Sequence, residues 1–183
     1  YSEASGPLST TLGGGSTASG DGSTALGYNS TTNGDGSTAL GADSTASGYL
    51  STALGYNSTT NGDGSTALGA DSTASGYLST ALGIGASATR DYQITIGNKF
   101  VYLRFASTET EATVYNALSP WVNPTAESSQ GAMGRYGTSD IAVLSRDSST
   151  SIKLYANSLG SKTIRSGNTT QIGSSLVICT AMY

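Results

Sequence analysis

Residues 28–55 and 56–83 are the same 28 amino acids in the same order, YNSTTNGDGSTALGADSTASGYLSTALG. Inside that unit lies a shorter period of seven. Glycine falls at 13, 20, 27, 34, 41, 48, 55, 62, 69, 76 and 83, and again at 97, with Arg90 the one break in the series. Each heptad reads Ser-Thr-Ala-x-Gly followed by two variable residues. Repetition this strict dictates a repeat architecture before any other property is weighed.

A period of seven suggests a coiled coil, but the residue types exclude it. Coiled coils need bulky apolar residues at two positions per heptad. Here glycine recurs every seventh residue and β-branched threonine is abundant, and both disfavour helix. A flexible Gly/Ser linker is the other simple reading of such a composition. Its register argues against it. A large aliphatic side chain returns every fourteen residues, at Leu12, Leu26, Leu40, Leu54, Leu68 and Leu82, then Ile96.

The pattern predicts a β-roll with five residues per strand, two per turn and two heptads per coil of fourteen. Side chains alternate across a strand. The Ser and Ala of each heptad then face a thin interior, and Thr and the fourth residue face out. On alternate heptads the fourth residue is Leu. On the others it is Ser19, Asn33, Ser47, Asn61 or Ser75. One face is a column of Leu beside Thr, and the other is polar. A lone roll with an Ala/Ser interior has little apolar burial to offset its ordering cost, and its Leu column would stand bare. Contiguous apolar patches mark interfaces. Three columns around one axis would close a core, which makes Leu12, Leu26, Leu40, Leu54, Leu68, Leu82 and Ile96 the expected trimer interface. Thirteen heptads, six and a half coils, would give a shaft of roughly 30 Å.

The alternation of Ser-x-Ala-Leu-Gly with Ser-x-Ala-Ser-Gly over residues 9–97 resembles the YadA-like head repeat of trimeric autotransporter adhesins, and similar repeats occur in phage and viral fibres. The resemblance implies an all-β fold, a homotrimer of left-handed parallel β-rolls, and a role in surface attachment. The motif that leads from such heads into a coiled-coil stalk does not follow Ile96, and no membrane-anchor strands are evident. Both departures favour a fibre with a free C-terminal tip. The chain opens at Tyr1 rather than Met, as a fragment or processed product would.

Charge divides the chain near residue 98. Residues 1–89 contain no Lys or Arg and six acids: Glu3, Asp21, Asp35, Asp43, Asp63 and Asp71. The remainder holds all eight bases. The expected domains are therefore a shaft over 1–97 and a small, mainly β globular tip or knob over 98–183. An acidic half without bases does not suit a phosphate backbone, so nucleic acid is not an expected partner. No apolar run is long enough to span a bilayer as a helix.

Histidine is absent, which excludes His-based triads, His-ligated zinc and histidine pH switches. The single cysteine, Cys179, reads as a buried small hydrophobe in Leu176-Val-Ile-Cys. Glu109 and Glu111 are too close in sequence for a glycosidase pair and read as solvated or helix-capping. Asp140 and Asp147 suit turns. No catalytic, cofactor or metal site is expected. Tyr28, Tyr49, Tyr56 and Tyr77 stand first in their turns, either packing over neighbours or offering a ladder for sugars. Asn33-Gly34-Asp35-Gly36 and its copy at 61–64 read as turns.

In the C-terminal half, strands are expected at Phe100–Phe105, Ile141–Ser145, Ser151–Ala156 and Leu176–Met182, with a weaker one near Lys162–Arg165. Asp147–Thr150 and Ser158–Gly160 are expected hairpin turns. Thr108 with Glu111 resembles a capping box for a short helix ending at Leu118, although Thr113-Val-Tyr also suits a strand. Residues 119–138 read as loop. If the tip binds a receptor, Trp121, Arg135 and Tyr136 are the candidate contacts.

The function expected is non-enzymatic: an extracellular homotrimeric fibre whose tip binds a host-cell surface receptor, on a virion tail or capsid. A bacterial adhesin head is the alternative. An ice-binding solenoid, using Thr17, Thr31, Thr45, Thr59 and Thr73, and a trimeric depolymerase spike are more remote.

Overall fold

Strands in the first half of the chain are two or three residues long. They are β1 (Glu3–Ala4), β2 (Thr10–Leu12), β3 (Thr17–Ala18), β4 (Thr24–Leu26), β5 (Thr31–Thr32), β6 (Thr38–Leu40) and β7 (Thr45–Ala46). They continue as β8 (Thr52–Leu54), β9 (Thr59–Thr60), β10 (Thr66–Leu68), β11 (Thr73–Ala74), β12 (Thr80–Leu82), β13 (Ser87–Ala88) and β14 (Ile94–Ile96). This computed structural model describes residues 1–97, 100–122, 129–156 and 160–181. The chain divides into two compact units, Tyr1–Asn98 and Lys99–Tyr183.

The first unit is a β-solenoid. Its odd-numbered strands form a parallel sheet of seven, and its even-numbered strands stack in parallel as a second column. The register advances by one coil throughout: Thr24 lies against Thr38, Ala39 against Ala53, and Leu40 against Leu54. There are seven coils, half a coil more than the heptad pattern gives, because Glu3–Ala4 pairs with Thr17–Ala18 ahead of the first regular repeat.

The strands are shorter than five residues for a definite reason. Each heptad's serine closes a turn instead of extending the strand. Ser37 N–H donates to Gly34 C=O at 3.1 Å, and Ser51 N–H to Gly48 C=O at 3.2 Å. The turn is therefore Gly-x-x-Ser, and its third residue takes positive φ, as in a type II turn.

Ser and Ala fill the lumen as alternation requires. Ser23, Ser37, Ser51 and Ser65 are fully buried, as are Ala25, Ala39, Ala53 and Ala67. Buried hydroxyls need partners, and the lumen supplies them across its width. Ser37 Oγ donates to Ala46 C=O at 3.2 Å and Ser65 Oγ to Ala74 C=O at 3.1 Å. Where Thr replaces Ala, Thr32 Oγ1 donates to Ser23 Oγ at 3.0 Å and Thr60 Oγ1 to Ser51 Oγ at 2.9 Å. The last coil is built differently. Buried Gln93 takes the serine position, accepts from Thr89 and Arg90 N–H, and donates to Ser87 C=O and Thr95 Oγ1. One long amide thus satisfies the lumen's final layer.

The second unit comprises β15 (Phe100–Phe105), α1 (Glu111–Leu118), a 3₁₀ turn at Ser119–Trp121, β16 (Ser129–Tyr136), β17 (Ser139–Ser148), β18 (Ser151–Ala156), β19 (Gly160–Arg165) and β20 (Leu176–Ala181). Its strands are antiparallel in the order β19-β18-β17-β16-β20-β15. Val114, Tyr115 and Leu118 of α1 pack on an inner face of Leu103, Phe105, Leu144, Ile152, Ile164, Leu176 and Ile178. Among the described residues the unit is one sheet covered by a helix.

Two local expectations change. The helix cap is Thr110, whose Oγ1 accepts from Thr113 N–H, and not Thr108. Of the segment read as loop, Ser129–Tyr136 is a strand. Glycine serves it there, because a Cβ on Gly134 would stand 2.2 Å from Val177 O. The Asp147–Thr150 turn joins β17 to β18. The turn expected at 158–160 lies largely outside the described residues.

Candidate interaction surfaces

The even-numbered strands carry two outward columns. One is threonine, ending in Ile94, and the other runs Leu12, Leu26, Leu40, Leu54, Leu68, Leu82, Ile96. Leu26 and Leu40 are half-buried, and the other members of the Leu column are exposed. The odd-numbered strands present Thr17, Thr31, Thr45, Thr59 and Thr73, flanked by Ser19, Asn33, Ser47, Asn61 and Ser75. The solenoid therefore has one apolar and one polar face.

Two ridges of turns join these faces. The ridge following the Leu column begins each turn with Gly14, Tyr28, Ala42, Tyr56, Ala70 or Ile84. None of these is charged or carries an amide side chain, so the ridge widens the apolar face. Behind them, Asn29 Nδ2 donates to Asp43 Oδ1 at 3.0 Å, and Asn57 Nδ2 to Asp71 Oδ1 at 2.8 Å. The opposite ridge carries Asp21, Asp35, Tyr49, Asp63, Tyr77 and Asp91 as first turn residues. Asp35, Asp63 and Asp91 each accept the backbone N–H of the preceding coil at 2.8–2.9 Å.

In the second unit Arg135 and Tyr136 are neighbours on β16 rather than in a loop. Arg135 is exposed. Tyr136 is half-buried, and its hydroxyl donates to Ile172 C=O. Trp121 closes the 3₁₀ turn and packs, like Tyr136, against the unit's core. Trp121 and Tyr136 thus share a core, with Arg135 beside the latter.

Cys179 is half-buried and not in the interior. Strand β20 buries Leu176, Ile178 and Thr180 and turns Val177 and Cys179 to its other face, where Cys179 lies in register with Tyr102 and Met133. Glu111 is likewise not solvated. It is 3% exposed, with its carboxylate held by Lys162 Nζ at 3.0 Å and Asn168 Nδ2 at 2.8 Å. Burial raises its pKa, but these bonds, the Lys162 charge and the Arg165 N–H outweigh burial and hold it below the usual carboxylate range. It is an internal staple, and nothing in its sequence neighbourhood reveals the partners 51 and 57 residues away. Asp147 lies on the surface, 2.8 Å from Lys153 Nζ.

The family model of the YadA head domain repeat (2 copies) matches residues 4–30, 18–44, 46–72 and 74–92. The solenoid is built of YadA head domain repeats. Among solved structures, the crystal structure of the collagen-binding domain of Yersinia adhesin YadA is 29% identical, covering 52% of this chain and 69% of that one with a TM-score of 0.40. No curated protein matches the chain.

The YadA head repeats account for the two glycine columns. After the Leu column, Gly27, Gly41, Gly55 and Gly69 sit at φ near +136 to +141, closed to other residues. After the polar strands, Gly20, Gly34, Gly48 and Gly62 have ordinary φ, but a Cβ would meet the next coil's carbonyl oxygen at 2.0–2.2 Å. Stacking distance demands glycine in both columns, since a Cβ in the first would meet the next coil's carbonyl oxygen at 2.4–2.6 Å, and conformation demands it in the first as well. Arg90 replaces the glycine of the second column just where the matched repeats end.

Proposed function

We propose that this chain is a non-enzymatic attachment protein of the extracellular surface, a homotrimeric adhesin-like head or fibre. One observation carries the reading: an apolar column from Leu12 to Ile96 exposed on a solenoid whose opposite face is Thr, Ser and Asn. Hydrophobic area of that length is stable when covered, and three identical columns meeting on an axis cover one another. The adjoining Tyr28, Ala42, Tyr56, Ala70 and Ile84 extend the contact.

The second unit is the tip, and it binds a host-cell surface receptor through the region of Trp121, Arg135 and Tyr136. Three copies would engage one surface together, and avidity of about 10²–10⁴ over a single site follows when geometry permits. A solenoid continuing into a compact sheet-and-helix unit suits a viral or phage fibre better than a bacterial adhesin head.

The deciding experiment is solution mass by light scattering during size exclusion. The chain is 18.3 kDa. A species of three times that mass, reduced to a monomer by Leu54→Asp with Leu68→Asp, supports the reading. A monomeric native chain overturns it.

A further inference from the structure

The two ridges of turns differ at the residue that takes positive φ. Beside the Leu column that residue is Gly15, Asn29, Asp43, Asn57, Asp71 or Gly85, all types that enter the left-handed region readily. On the opposite ridge it is Leu8, Gly22, Gly36, Leu50, Gly64, Leu78 or Tyr92. Leucine and tyrosine have no local hydrogen bond to offset the crowding of Cβ against the backbone there. The neighbouring coils show that glycine serves the same turn without strain.

The strained side chains are also exposed. Leu50 is 56% and Leu78 46% accessible, although each lies partly over the glycine of the coil before it. Tyr49 and Tyr77 stand beside them, also exposed, two coils or about 10 Å apart. Tyr92 meets Tyr77 edge to face at 5.6 Å. The ridge thus carries Tyr-Leu, Asp-Gly, Tyr-Leu and Asp-Tyr on successive coils. A position that opposes both backbone preference and solvation, and is nonetheless filled three times by Leu and once by Tyr, is a functional outlier.

Charge indicates the occupant. Asp63 and Asp91 interrupt the apolar steps, each pinned through one oxygen by the Tyr N–H of the previous coil. Asp21 and Asp35 continue the line. Residues 1–89 supply no Lys or Arg to neutralise it, and Arg90, beside Asp91, is the one base in the ridge turns. We propose that the ridge of Tyr49, Leu50, Tyr77, Leu78 and Tyr92 is a docking surface for a protein segment that interleaves apolar side chains with Lys or Arg. Apolar groups seat on the Tyr-Leu steps, and bases reach the intervening carboxylates. The leucine methyls favour a polypeptide over a sugar chain, which would present hydroxyls to them. The ridge lies at the end of the even-numbered strands opposite the Leu column.

The test is selection of a random peptide library on the immobilised full chain, in parallel with Leu50→Gly/Leu78→Gly. Gly36 and Gly64 already occupy the equivalent positions, so this variant keeps the fold and melts no lower than the native chain. A second variant, Tyr49→Ala/Tyr77→Ala, copies the Ala42 and Ala70 turns. The expected result is enrichment of basic, apolar peptides whose binding weakens at least tenfold in either variant and falls with added salt. Several results overturn the proposal: no enrichment, enriched peptides without Lys or Arg, or peptides that bind both variants as well as the native chain. Glycans bound in their place and lost with the same substitutions would make the occupant a sugar. A change of solution mass in the leucine variant would make the ridge a contact between copies.

Discussion

Lys162 Nζ donates to Glu111 Oε1 at 3.0 Å, and Asn168 Nδ2 donates to the other oxygen of the same carboxylate. Glu111 is the first residue of α1, and Lys162 lies on β19. One buried carboxylate therefore ties the helix to the edge strand and to the segment after it. Because its pKa is lowered in the folded state, its contribution is fully present above the unfolded glutamate pKa of about 4.3 and is lost as pH falls through the folded value. The stability of the second unit should therefore fall as the pH drops below about 4.3. Trp121 is the chain's one tryptophan, so its fluorescence follows this unit. Glu111→Gln should flatten that acid dependence, and an unchanged profile would refute the assignment.

Removing the base gives an independent check. Lys162→Met leaves Glu111 buried with fewer donors and should cost about 2 kcal/mol, the scale of a hydrogen bond to a charged group. Urea melts followed by Trp121 emission would read it. The solenoid transition, followed by far-UV dichroism, should not move.

The lumen hydroxyls should behave as pairs. Thr32→Val leaves Ser23 Oγ without its donor, and the expected loss is about 1 kcal/mol. Adding Ser23→Ala should recover part of that loss, since removing both partners costs less than orphaning one. A double mutant that is simply additive would show that the two hydroxyls do not interact.

A stacking glycine and a turn glycine should respond differently to alanine. Gly48→Ala forces a Cβ to within 2.1 Å of Gly62 O, and the clash between coils should cost about 3 kcal/mol. Gly22→Ala meets nothing within 4 Å but keeps φ at +62, so it should cost only about 1 kcal/mol. Thermal melts of the two variants decide it, and equal losses would contradict the distinction.

In the second unit, Trp121→Ala and Arg135→Ala should separate packing from the proposed binding. Trp121 packs against the core, so its loss should lower the melting temperature of the second unit. Arg135 is exposed, and under the proposed receptor role its replacement should lower melting less than Trp121→Ala does while reducing adherence to host cells. Unaltered adherence would remove Arg135 from the proposed receptor contacts.

The interior of the solenoid was legible because its code is local. Alternation alone places Ser and Ala inward and Thr and Leu outward, and each heptad repeats the message. Strand length was less legible, since the Ser N–H could either extend a strand or close a turn, and only the Gly34–Ser37 hydrogen bond resolves the two. The first coil escaped notice because Glu3 stands where later coils have Thr. In the second unit the long-range partners decide. Strand β16 looked like loop because its glycines advertise turns, whereas Gly134 serves close approach to Val177. Glu111 looked like a surface cap because Lys162 and Asn168 lie far along the chain.

Identical sequence and uniform register together make length a free variable. Coil follows coil with the same partners, Thr38 on Thr52 and Thr52 on Thr66, so the junction after Gly55 is interchangeable with the junction after Gly83. Excising or duplicating 28 residues at that point would change the reach of the molecule by about 10 Å without creating a single unfamiliar contact. A gene encoding such a tract can be lengthened or shortened by recombination between its own copies, and each product is already a folded protein.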